Sequence, residues 1–148
     1  MAKGRIKEIL IGREKGNPRE SIKEGFFQRD FGLRDDIYGG PGDKQVVFFG
    51  AEGREKLSRY PVEGLCFKRF FPTMIPEGVD LFKLPVGARL KIGESVMEIS
   101  LVGKRCFPEC VLVQAGTPCI MPREVVFARV EVDGLVRVGD EIQLIRPI

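Results

Sequence analysis

The stretch LPVGARLKIGESVMEISLV, Leu84–Val102, decides the fold class. Apolar and polar residues alternate in Arg89–Ile92 (RLKI) and again in Ser95–Val102 (SVMEISLV), the period of a strand with one buried face. Gly93-Glu94 between them predicts a tight two-residue turn. A weak echo lies further on. VRVGDEIQLI (Val136–Ile145) repeats the order of LPVGARLKIG (Leu84–Gly93): Val-Gly, two residues, then alternating apolar positions. Both read as a glycine turn entering a strand, which is repeated turn chemistry rather than a duplicated domain.

Outward from this stretch, strands are expected at Arg5–Gly12, Lys44–Phe49, Leu65–Phe71, Val111–Gln114, Val125–Val132, Leu135–Val138 and Glu141–Ile145. Asp133-Gly134, between two alternating runs, is the strongest hairpin signal and predicts a type I′ turn. Gly25–Asp43, with its YGGPGD cluster, reads as one long loop. Ala51–Tyr60 (AEGREKLSRY) predicts a helix ended by Pro61, with Gly53 a weak point in its interior. Residues 1–148 are expected to make one domain, at 43% hydrophobic and 30% charged composition. The pattern predicts a mostly β protein: a single β-barrel with one or two short helices, the alternative being a sandwich.

The count that excludes most chemistry is zero histidines against four cysteines. A Ser-His-Asp or Cys-His nucleophile lacks its imidazole, and zinc, haem or iron sites built on histidine are ruled out with it. The net charge of +3, from 24 Lys+Arg and 21 Asp+Glu, is too mild for a dedicated nucleic-acid binder. The charged start, MAKGRIKEILIGREKG, predicts no secretory leader, and no apolar run reaches the roughly 20 residues of a membrane helix. A cytoplasmic protein with reduced thiols is expected.

Chemistry concentrates in Val102–Glu124, VGKRCFPECVLVQAGTPCIMPRE. Cys106, Cys110 and Cys119 fall within it, the first two as C-x3-C, with Lys104, Arg105 and Arg123 nearby. Adjacent cations favour the thiolate, which is both nucleophile and metal ligand. The alternative is three small buried hydrophobes in a β core. A four-thiolate zinc site with Cys66 would lack the paired C-x2-C knuckles of zinc ribbons, and Cys119 is too distant for a compact iron–sulfur loop. A disulfide between Cys106 and Cys110 is a third reading. Gly103-Lys104 is no phosphate loop, because Glu98 stands where its first glycine belongs. Lys68-Arg69, among Phe67, Phe70 and Phe71, reads as a strand with solvated cations, compatible with an anionic cofactor.

Three blocks give the chain a family resemblance. FGLRDDIYGGPGDKQVVFFG (Phe31–Gly50), CFKRFFPTMIPEGVDLFKLPVGARLKIGESVMEIS (Cys66–Ser100) and GKRCFPECVLVQAGTPCIMPREVVFARVEVDGLVRVGDEI (Gly103–Ile142) together resemble the MOSC family, similar to the C-terminal part of molybdenum-cofactor sulfurases and also found as stand-alone proteins. The resemblance implies a barrel related to the pyruvate-kinase barrel domain and a site for the molybdenum cofactor (molybdopterin), or for sulfur destined for it. The family's signature cysteine aligns with Cys110, proposed to ligate molybdenum or carry sulfane sulfur. Arg69, Lys104, Arg105 and Arg123 are then expected on phosphate and pterin oxygens, with Cys106 and Thr73 completing the site. Where relatives often place His, Ile37 and Phe107 stand here, and Thr73 replaces an Asn. Two functions follow as expectations. One is a molybdenum-dependent reductase component taking electrons from a partner protein; the other is a carrier handing cofactor or sulfur to a recipient apo-enzyme.

Overall fold

A computed structural model describes residues 4–59, 72–103 and 121–145. Its central hairpin is the one the alternation predicts. β7 (Arg89–Ile92) and β8 (Ser95–Val102) pair antiparallel with Ile92 opposite Ser95, and Gly93 turns the chain at φ +58°. β11 (Glu141–Ile145) lies on the other side of β7, with Ile142 opposite Ile92 and Ile145 opposite Arg89. The two echoing stretches are therefore neighbours in space. Their glycines, Gly87 and Gly139, hold nearly equal φ values of +97° and +98° two residues before each strand.

The remaining wall comprises β1 (Gly4–Ile11), β5 (Val46–Phe48), β6 (Met74–Glu77) and β9 (Val126–Val132). The order β11-β7-β8-β9-β5-β6-β1 closes on itself where Gly4 meets Ile142 and Arg5 meets Glu141, giving a seven-stranded barrel. The short β2 (Glu20–Ile22) extends the sheet along the later part of β1. Neighbours run antiparallel except β5 and β6, which pair in parallel at Phe48–Met74. A parallel pair needs a crossover of a dozen or more residues. The chain supplies it with α1 (Ala51–Ser58) and the residues leading to β6.

Inward-facing Ile6, Val46, Phe48, Met74, Leu90, Ile92, Met97, Ile99, Ala128 and Val130 form one apolar cluster. Each fully buried side chain of this size contributes about 1.5–3 kcal/mol before chain entropy is counted. On the outer wall, Arg129 bridges Glu98 at 2.6 Å and Asp43 at 3.1 Å. The Glu98 hydrogen bond raises the already high pKa of that guanidinium.

Two expectations are corrected. Gly25–Asp43 is not all loop: β3 (Glu24–Gln28) and β4 (Gly32–Leu33) occupy its first part and join β10 (Gly134–Arg137) in a second sheet, ordered β10-β3-β4. Asp133-Gly134 is not a hairpin turn either. β10 leaves β9 and pairs with β3, Leu135 opposite Phe26, so the dipeptide is a corner between sheets. Glycine is required there because a Cβ would collide with the backbone of Glu94 and Ser95, and the Glu94 N–H donates to the Leu135 carbonyl at 3.0 Å. Asp133 accepts the Arg29 N–H at 2.6 Å. Phe27, Leu33 and Val136 send the second sheet's apolar face into the barrel core.

The helix predicted to reach Tyr60 spans Ala51–Ser58. Apart from Gly53 its residues are good helix formers, and tertiary contacts also hold it down. Glu52 accepts the Gly78 N–H at 3.0 Å, and Arg54 pairs with Glu8 at 3.4 Å. A one-turn helix, α2 (Met121–Glu124), precedes β9.

Candidate functional site

Of the residues singled out by sequence, Thr73 and Arg123 are described. Cys66, Arg69, Lys104, Arg105, Cys106, Cys110 and Cys119 lie outside the described residues, as do the strands expected at Leu65–Phe71 and Val111–Gln114. The chain on either side of those stretches is described. Residues 60–71 run between α1 and β6; residues 104–120 run between β8 and α2. Across four adjacent strands, Val102 pairs with Val126, Val126 with Phe48, and Phe48 with Met74. β8 runs out past Val102 and β9 starts before Val126 on one side of this row, whereas the chain enters β6 through Thr73, beside Val47, on the other. The segment 104–120 is tied at its base, where the Gly103 N–H donates to the Val125 carbonyl at 2.6 Å.

Thr73 sits just before Met74 in this row, only 1% exposed. Its hydroxyl accepts the Val47 N–H at 3.0 Å, its own N–H donates to the Val47 carbonyl at 2.8 Å, and its carbonyl accepts the Leu10 N–H at 2.8 Å. It stitches β5, β6 and β1 together where 60–71 ends. Arg123 is exposed on α2. Its neighbour Glu124 is buried and receives Lys56 Nζ at 3.1 Å. That pair joins α1 to α2, and sequence reasoning missed it. The available signal was Gly53, a poor residue inside a helix. A Cβ there would lie 2.9 Å from the Phe49 ring and 3.2 Å from Glu124 Oε1, so glycine lets α1 approach α2.

The glycine-and-aspartate block is organised by a second missed group. Asp36 is 3% exposed; its carboxylate accepts the Gly12 N–H at 2.9 Å and pairs with Arg19 at 3.0 Å. Arg19 also donates to the Leu10 carbonyl at 3.3 Å and stacks 4.7 Å from the Tyr38 ring centre. A charge this deeply buried persists only when paired and hydrogen-bonded. Ile37, at the family's histidine position, is 43% exposed. In the neighbouring Lys-Gln-Val motif, buried Gln45 donates to the Gly42 carbonyl and accepts the Val130 N–H, both at 3.0 Å, a structural role.

Among the described residues, no group of three or more His, Cys, Asp or Glu side chains is arranged to hold a metal ion. No helix among them is long and apolar enough to cross a membrane.

No protein-family model matches the chain, and no curated protein matches it. Solved structures do. The YUAD protein from Bacillus subtilis superposes with a TM-score of 0.74 at 16% identity, over 95% of this chain and 94% of that one. YiiM from Geobacillus stearothermophilus gives 0.67 at 15% identity, over 97% and 75%. YiiM from Escherichia coli gives 0.64 at 14%, over 97% and 71%. Together these support a MOSC-type fold. At such identities the likeness is one of fold alone.

Proposed function

We propose that this protein binds the molybdenum cofactor through residues 60–71 and 104–120, with Cys110 as the thiolate ligand of the metal. The observation that carries this reading is where the cysteines fall in the chain. Every cysteine belongs to one of these two segments, inserted between α1 and β6 and between β8 and α2 of a barrel shared with YuaD and YiiM. The donor set suits the group: a soft thiolate for molybdenum, and Arg69, Lys104, Arg105 and Arg123 for phosphate and pterin oxygens. Cys106, four residues before Cys110 in the sequence, offers a second sulfur. Thr73 serves by fixing the start of β6, since its hydroxyl is already held in the ladder. When bound, the cofactor supplies redox chemistry that the side chains of this chain lack, with electrons arriving from a separate protein.

The test is elemental analysis for molybdenum, with assay of released pterin, on protein made in a cofactor-producing host. The wild type is expected to carry both and Cys110→Ala to lose the metal. A wild type without molybdenum from a competent host overturns the proposal. The cations flanking the cysteines favour one second reading, a carrier holding sulfane sulfur on Cys110 for a recipient enzyme. Incubation with a cysteine desulfurase would then add one sulfur, about 32 Da, to that residue.

A further inference from the structure

Residues 37–43 carry the chain from beside the end of β1 to the start of β5, the two strands that flank β6. Their two feet are tied differently. At the first, the Ile37 N–H donates to the Gly12 carbonyl at 3.0 Å, directly after buried Asp36, which Arg19 and the Gly12 N–H hold. At the second, three side chains grip two consecutive residues. Gln45 Nε2 donates to the Gly42 carbonyl at 3.0 Å, Ser100 Oγ donates to the Asp43 carbonyl, and Arg129 pairs with the Asp43 carboxylate at 3.1 Å. Side-chain exposure of 43% for Arg129 and 54% for Asp43 makes this pair a weak one. Breaking it strands no charge, because Arg129 remains on Glu98 at 2.6 Å and Asp43 turns to water. Between the feet, Gly40 and Gly42 hold φ values of +154° and +114°, and a Cβ added at either meets nothing within 4 Å among the described residues. The Gly40 N–H donates to the Phe31 carbonyl at 2.9 Å.

We infer that residues 37–43 form a strap, hinged at Asp36 and latched at Asp43, that opens as a unit while the barrel stays closed. The first foot is the hinge because its charge is buried and paired. The second rests, among the described residues, on one exposed ion pair and two hydrogen bonds that water can replace. Arg129, kept in place by Glu98, and Ser100, set in β8, stay where the strap must return, so it closes again without rearranging the wall. Ionic strength sets the balance, since salt screens an exposed pair far more than a buried one. The strap is independent of the cofactor proposal, because none of these groups lies in residues 60–71 or 104–120.

The experiment follows amide hydrogen exchange of the full chain by NMR at three reporters. Gly40 lies within the strap, Ile37 at the hinge, and Leu10 in the barrel, where its N–H donates to the Thr73 carbonyl at 2.8 Å. Asp43→Ala removes the carboxylate and leaves the backbone carbonyl that Ser100 holds; it is expected to speed Gly40 exchange about threefold. Ser100→Ala, which cuts another tie of the same foot, should speed it by a similar factor. Ile37 and Leu10 should keep their wild-type rates in both variants. The gap between wild type and Asp43→Ala should close at high ionic strength, where the pair is already screened. An unchanged Gly40 rate in either variant overturns the inference. Equal acceleration of Gly40, Ile37 and Leu10 overturns it too, because the release would then be a loosening of the whole barrel. A gap that survives high salt overturns the Asp43–Arg129 pair as the latch. A wild type lacking molybdenum would sink the cofactor proposal and leave this result standing.

Discussion

The two ends of the barrel are joined in opposite ways. Where β7 turns into β8, two residues suffice, and the second sheet packs directly on the turn through the Glu94–Leu135 hydrogen bond and the close approach of Gly134. At the other end, β5 and β8 do not pass straight to the strands beside them. The chain departs through 60–71 and 104–120, and among the described residues one ion pair, Lys56–Glu124, joins the helix before the first segment to the helix after the second. Backbone contacts tolerate little substitution, whereas segments carried on a rigid frame can vary and bear chemistry. The first end is scaffold; the segments inserted elsewhere are the ones in which the proposed function places its ligands.

Four substitutions press on that contrast. Asp36→Ala leaves Arg19 buried without its counter-ion and frees the Gly12 N–H at the end of β1; it is expected to cost about 4 kcal/mol in urea unfolding. A loss below about 1 kcal/mol would mean that this corner, at the end of β1, adapts to the unpaired charge. At the scaffold end, Gly134→Ala forces a Cβ into the Glu94–Ser95 backbone and should cost about 3 kcal/mol. Thr73→Val keeps the shape and orphans the Val47 N–H, for a loss of about 1.5 kcal/mol. If it costs nothing, the hydroxyl is free for a ligand and the boundary between frame and site moves inward by one residue. Arg89→Met, on the exposed wall, should change stability by less than about 0.5 kcal/mol.

The barrel was legible where the pairing partners are close in sequence. Arg89–Ile92 and Ser95–Val102 have the limits expected from alternation, because a two-residue turn sets their register. The second sheet was hidden for the opposite reason. Phe26 finds its partner at Leu135, and two-residue β4 has no periodicity to detect. Composition at Asp133-Gly134 announces a change of direction but is silent on which sheet the next strand joins. For the site, the motif residues are legible as types and spacings, while the pairs that brace them are not. Lys56 and Glu124, or Arg19 and Asp36, look like ordinary surface charges until the fold brings them together.

Closure of the barrel by β1 against β11 carries a consequence for folding kinetics. The first described strand receives its last partner from the final one, so the seam at Gly4–Ile142 and Arg5–Glu141 forms only after nearly the whole chain is available. Contacts of such long sequence separation slow folding. Until they form, β7 and the early part of β1 present unpaired backbone that a second chain can capture. A ribosome-bound chain short of β11 would therefore be the species most in need of a chaperone.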